Sequence, residues 1–257
     1  MRGLARVITV VALLLGGCSS SARIGRTAST VSSSVDPNEL PDVPLALRGL
    51  SAAFEATTPY AESTEGRVSL TDCPLVSVDD LAAAVPAELT LAGGSLEQAR
   101  VMLDAATGAK NVLCSFAFDS VKASISAWPA PVEPFTDAFF SSTYLWGPDG
   151  RNPELIEVGK ATGEGLGATI HTDCWYDRPY SSVSGNFIDL KCLSIWISEG
   201  LMVVLVISHR EKLSATTTQG EPPPFGPDLA TAWLRNVVVS VVRGLGAVTS
   251  ERIHVNK

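Results

Sequence analysis

The apolar positions of the chain recur in distinct rhythms, and each rhythm predicts an element. Leu229, Trp233, Val237 and Val241 return every four residues, the stripe of a helix with one buried side. Pro227 and Asp228 suit its start and Gly244 its end, so a helix is predicted over Asp228–Arg243, with Arg235 and Arg243 off the stripe. Leu47, Leu50 and Phe54 mark an earlier helix. Another is predicted to start at Ser77, with Ser77 and Asp80 as a capping box in which Asp is short for the task, and Leu81, Ala84 and Val85 facing inward. Ser95–Ala106 fits two patterns: Ser95 and Gln98 suggest a capped helix, whereas Arg100–Leu103 suits a strand.

Strands are predicted in pairs. Cys114–Phe118 and Val121–Trp128 flank the turn Asp119-Ser120. Cys192–Trp196 and Leu201–Ser208 flank the turn Ser198-Glu199-Gly200. Leu201–Ile207 is apolar at every position, so this strand should be covered on both faces or line an apolar cavity. Each hairpin leads through a proline-rich stretch, Pro129–Pro134 or Pro222–Pro227, to a predicted helix, Thr136–Leu145 or Asp228–Arg243. Thr71-Asp72-Cys73 recurs as Thr172-Asp173-Cys174. The expected fold is therefore α+β: two related units of antiparallel β-hairpins packed against helices, over residues 43–146 and 147–257, joined near residues 147–162.

The amino terminus has a different pattern. Arg2 and Arg6 precede the apolar run Val7–Leu15, and Leu15-Gly16-Gly17-Cys18 follows. Charge, a short apolar stretch and small residues make a signal-peptide layout over residues 1–17. The apolar run falls short of the ~20 residues that a spanning helix needs. Ser19–Ser34 holds nine Ser or Thr in 16 residues. Residues 18–42 are therefore expected to form a flexible tether, too polar to fold.

Four cysteines remain after Cys18: Cys73, Cys114, Cys174 and Cys192. An even number in an exported chain points to two disulfides. Counting allows three pairings; the internal similarity selects Cys73–Cys114 and Cys174–Cys192.

Composition narrows the function classes. Hydrophobic residues make up 46% of 257, enough for a large core, and the net charge is -8. Without residues 1–17 the balance is 17 basic against 27 acidic side chains. Such a body is repelled by nucleic acid and by anionic headgroups, so nucleic acid is excluded as a partner and membrane contact falls to the anchor. The three histidines, His171, His209 and His254, belong to no nucleophile elbow, and Ser182, Ser184 and Gly185 suggest a plain loop. No catalytic residue, metal ligand set or cofactor is assigned. Gly163–Gly167 (GEGLG) lacks the lysine of a phosphate loop and is expected to be a turn. Phe135, Phe139, Phe140, Tyr144 and Trp146 are assigned to core packing. Trp175 and Tyr176, expected in a loop after Cys174, are the candidate binding residues.

Leu15–Cys18 resembles the lipobox of bacterial lipoproteins. That resemblance implies cleavage before Cys18, diacylglycerol on its sulfur and attachment to the outer face of the cytoplasmic membrane. Two or more acyl chains give stable anchoring at about 0.8 kcal/mol per buried methylene. The tether, an acidic body rich in Ala and Val, 13 Arg against 6 Lys and the run Cys73–Ala84 are similar to uncharacterised cell-envelope lipoproteins of actinobacteria, including mycobacteria. An envelope role is implied, with no catalytic residue carried over. The expected function is non-enzymatic binding of an envelope protein or ligand, in a sensor or accessory role. The alternative is carriage of an apolar small molecule in an internal cavity, and a hydrolase ranks last.

Overall fold

The computed structural model describes residues 42–89, 91–103, 110–119, 121–130, 156–176, 180–182, 185–213 and 225–256. The leader, Cys18, the tether to residue 41 and the helix expected over Thr136–Leu145 lie outside them.

The chain enters through helix α1 (Val43–Ala61), whose first turn is closed by Asp42 Oδ1 accepting from the Leu45 N–H at 2.9 Å. Ala46, Leu50, Ala53, Phe54 and Thr57 form its buried stripe, with Leu47 packed at the margin. Strand β1 (Arg67–Leu70) follows, then α2 (Val78–Ala83). Ser77 Oγ caps α2 by accepting from the Asp80 N–H at 3.0 Å. The Asp80 carboxylate reaches only the Ser77 hydroxyl, at 2.7 Å.

A meander follows: β2 (Ser95–Leu103), β3 (Lys110–Ala117) and β4 (Val121–Pro129). Ser95–Leu103 is thus a strand, with a register shift between Leu96 and Gln98. The second run comprises β5 (Ile156–Gly165), β6 (Ala168–Tyr176), β7 (Tyr180–Ser182), β8 (Gly185–Ser198) and β9 (Leu201–Leu213). Helix α3 (Pro227–Gly246) closes the fold.

The strands make one sheet in the order β1-β2-β3-β4-β9-β8-β6-β5, with β7 paired to β8. Every pairing is antiparallel. At the centre, Val121–Pro129 of β4 pairs residue for residue with His209–Leu201 of β9.

Three local expectations need correction. The junction near 147–162 includes the first seven residues of β5. Gly163 and Gly165 lie within β5, and only Leu166 and Gly167 turn, with φ of 47° and 74°. Glu199 and Gly200 turn the same way between β8 and β9, with φ of 47° and 86°, the left-handed pair that a tight hairpin requires. Ser182 and Gly185 are paired across a short hairpin rather than set in a plain loop.

Alternation along the strands sends residues to two faces. On the first face Val112, Cys114, Phe116, Ile125, Leu201, Val203, Leu205 and Ile207 join the core beneath α1 and α3. On the second face Trp175, Leu193, Ile195, Met202 and Val204 form a separate apolar cluster. Residues Leu201 to Leu205 are each at most 1% exposed, so the first part of β9 is buried on both sides.

Helix α3 sits on the first face through a stripe wider than the predicted one: Ala230, Trp233, Leu234, Val237, Val238, Val241, Val242 and Leu245 are buried. Leu229 lies at its margin. The Trp233 indole N–H donates to the Leu81 carbonyl at 3.1 Å, which docks α2 on α3. Under the start of α3, Thr231 Oγ1 donates to Thr172 Oγ1 at 2.7 Å and Thr172 to Ser194 Oγ at 2.8 Å, a buried hydroxyl chain from helix to sheet. Gly244 does not end α3, which continues to Gly246. It is a point of close approach: a Cβ there would overlap the Leu75 carbonyl oxygen. Gly49 of α1 meets the Leu245 carbonyl oxygen in the same way.

Two disulfides tie the first face. Cys73, in the segment after β1, bonds Cys114 of β3 with Cα atoms 5.8 Å apart. Cys174 bonds its direct cross-strand neighbour Cys192, Cα atoms 4.1 Å apart. The repeated Thr-Asp-Cys does not occupy matching positions: Cys174 lies within β6, and Ala99, not Cys73, stands opposite Cys114. In the loop-entropy model bridges of this separation stabilise by roughly 3–4 kcal/mol each. The carboxyl-terminal residues cover the open edge of β1. The Thr71 N–H donates to the His254 carbonyl at 2.9 Å, and the Asn256 N–H to the Ser69 carbonyl at 3.0 Å.

Gly244→Ala is expected to destabilise by about 1–3 kcal/mol through overpacking against a backbone carbonyl, read as a lowered midpoint in urea unfolding. Thr172→Val, which removes the hydroxyl that donates to Ser194 while Thr231 keeps the Pro227 carbonyl, should cost about 1–3 kcal/mol in the same measurement.

Candidate functional site

Strands β8 and β9 outrun their neighbour. The pairing of β4 with β9 begins at Val121 opposite His209, whereas β8 and β9 stay paired to Asn186 and Leu213. The projecting ribbon, Asp119 and the start of β4 line a cleft of about 490 Å³. β4 and its turn contribute Asp119, Val121 and Lys122; β8 contributes Phe187, Asp189 and Lys191; β9 contributes Ser208, His209 and Arg210.

The register explains the grouping. Lys122, Ser208 and Lys191 are consecutive partners across β4, β9 and β8, and Asp189 stands opposite Arg210. Arg210 Nε donates to Asp189 Oδ1 at 3.0 Å, and its guanidinium carbon lies 6.0 Å from the Phe187 ring centre. Lys122 is drawn sideways to Glu97, Nζ to Oε1 2.9 Å. His209 sets its ring edge-on to Phe225, centroids 6.2 Å apart.

Ser208 and His209 do not form a nucleophile–base pair with each other. They are consecutive in a strand, so alternation sends their side chains to opposite faces. The carboxylate facing Arg210 is already engaged by it. What the cleft offers is cations, carboxylates and an aromatic ring at a sheet end.

The residues predicted for binding lie elsewhere. Trp175 and Tyr176 belong to β6, not to a loop. Trp175 is 7% exposed and packs in the second-face cluster, while Tyr176 is half-buried against the main core. Strand pairing with Lys191 nevertheless sets Trp175 beside a residue that lines the cleft. His171 is exposed on β6, His209 lines the cleft, and His254 lies on the edge-covering tail. Among the described residues no three His, Cys, Asp or Glu side chains converge as for a metal ion. None of their helices is long and apolar enough to cross a membrane. A smaller cavity of about 180 Å³ lies beside Cys73, between α3 and the tail. The expected wall of a cavity, Leu201–Ile207, is packed, and the larger cleft opens where that run ends, at Ser208.

No family model and no curated protein matches the chain. Among solved structures there is a distant, partial match to the crystal structure of LpqN, described as involved in cell envelope biogenesis of Mycobacterium tuberculosis. Identity is 12% and the TM-score 0.21, over 49% of this chain and 67% of that one. No residue role is carried across at that level, and the cleft is argued from its own residues.

The Arg210–Asp189 pair is solvent-facing, with Arg210 64% exposed. Arg210→Ala should therefore change stability by less than about 1 kcal/mol in denaturant unfolding. Any loss of binding in that variant then reports on the cleft and not on the fold.

Proposed function

We propose that this chain is a lipid-anchored, non-enzymatic protein of the bacterial envelope, held on the outer face of the cytoplasmic membrane. It uses the cleft at the end of β8 and β9 to bind a protein partner or ligand, in a sensor or accessory role. One observation carries the reading: Leu15-Gly16-Gly17-Cys18 follows a charged and apolar leader in a chain whose four other cysteines pair as disulfides. Paired cysteines suit an oxidising compartment. The leader and lipobox supply the route there, and the acyl chains supply the attachment that an acidic body cannot.

The partner reading rests on the mixed charge of the cleft. Lys122, Lys191 and Arg210 face Asp119 and Asp189 within one concavity. A complementary partner would exchange such pairs, with specificity set by charge register more than by buried area. The halves 43–146 and 147–257 are proposed as two related units, on the strength of the two meanders that meet at β4 and β9.

Labelled palmitate should enter the wild-type protein in cells and not Cys18→Ser. Globomycin, which blocks the lipoprotein signal peptidase, should make the unprocessed form accumulate. Identical processed products with and without the drug, or no label in the wild type, would remove the anchor and the envelope assignment with it.

A further inference from the structure

The second face of the sheet carries a second polar region, at the β1–β2–β3 end and away from the cleft. Arg67 stands opposite Met102 and Ser69 opposite Arg100; Met102 in turn pairs with Asn111, and Arg100 with Leu113. Arg67, Ser69, Arg100 and Asn111 therefore share one face, with Arg67 and Asn111 each diagonal to Arg100. Diagonal side chains of this length are within reach of one another.

Two atoms here lack the partners that burial normally demands. Arg100 Nε and Asn111 Oδ1 are both buried without a hydrogen bond, and Asn111 is only 5% exposed. Buried polar atoms are paired in the great majority of cases, so two orphans on neighbouring side chains are a chemical signature. The charge pattern adds to it. In a chain of net charge -8, Arg67 and Arg100 form no ion pair with any described carboxylate, although Lys122, Lys160 and Arg210 on the same sheet each do. Arg100 is half-buried and Arg67, on the outermost strand β1, is exposed.

The geometry points to an oxyanion-binding site in which Arg100, helped by Arg67, holds the anion. Asn111 Oδ1 accepts a hydrogen bond from a hydroxyl or N–H group on the same molecule. A guanidinium matches a carboxylate or phosphate through two parallel N–H donors, and an acceptor beside it favours an anion that carries its own donor. The ligand class this describes is a hydroxylated carboxylate such as an acidic sugar. The site is separate from the cleft and stands whether or not the cleft binds a partner.

The test is NMR titration of the folded mature protein with D-glucuronate, D-glucose and inorganic phosphate. The signals followed are the Arg100 Nε–H and the Asn111 side-chain amide. Glucuronate should shift both saturably, glucose neither, and phosphate chiefly the Arg100 signal. Arg100→Gln should weaken glucuronate binding about tenfold or more, the scale of one charge-assisted hydrogen bond, and Arg100→Lys should recover only part of it. Asn111→Leu should leave phosphate binding intact and remove the preference for glucuronate. The proposal fails if neither anion gives a saturable shift. It also fails if Arg100→Gln, shown to be folded by its unchanged backbone spectrum, responds to glucuronate like the wild type. Equal binding of glucose and glucuronate would overturn the anion assignment in the same way.

Discussion

The seam between β4 and β9 is the constraint on which the rest of the structure depends. Nine consecutive pairs join the first meander to the second, and the β9 side of each pair from Leu201 to Leu205 is closed to solvent. A strand buried on both faces cannot slip by one residue and expose a polar set, because it has none there; its register is held by neighbours. On one side Ala123, Ile125 and Ala127 are small or branched residues that admit the helix layer closely. On the other, Trp175, Leu193 and Ile195 surround Met202 and Val204. The helices then follow. α3 lies on the first face because β9, β8, β6 and β5 present an apolar floor, and α1 can approach α3 because Gly49 sets no side chain against the Leu245 carbonyl, while Gly244 likewise admits the Pro74–Leu75 segment against α3.

The cleft is a by-product of unequal strand lengths. β9 is apolar as far as Ile207 and then turns polar at Ser208, His209 and Arg210, at the point where β4 runs out. One strand therefore serves as core along its first half and as a wall of the cleft along its second. The change needs no loop, so the charged groups stand on a hydrogen-bonded ribbon. Fixed charges on such a scaffold discriminate between partners better than the same charges on a loose segment, since less ordering entropy is lost on contact.

Much of this was legible in the sequence where the pattern is local. The four-residue stripe of α3, the Ser77 cap, the unbroken apolar run of β9 and the two tight hairpins are all written within a few residues. What escaped is what depends on residues far apart. Nothing near 121–129 announces that its partner is 201–209, so the strand order could not be read. Gly244 looked like a terminator because a one-dimensional pattern cannot show the Leu75 carbonyl lying against it. Trp175 and Tyr176 looked like loop residues because a polar, proline-containing stretch follows them, yet pairing with Leu190 and Lys191 keeps them in β6. Of the cleft residues only His209 stands out in the sequence, as one of three histidines. The available signal was the switch from apolar to charged alternation at both Lys191 and Ser208. Arg100 and Asn111 gave no signal at all, because the absence of a partner is visible only in three dimensions.

The two outer strands meet the hazard of an open sheet by different means. β1 is covered along part of its margin by the carboxyl-terminal residues, which take up the Ser69 carbonyl and the Thr71 N–H. β5, at the opposite margin, has no such strip among the described residues; it is interrupted by Gly159, Gly163 and Gly165 and carries Lys160 and Glu164. Glycine and alternating charge make a poor template for a foreign strand, and α3 packs against the same element. Copies of an open sheet that meet edge to edge pair through whatever backbone groups their margins leave free. With neither margin inviting, backbone pairing between copies is disfavoured, and encounters between them fall to the side chains.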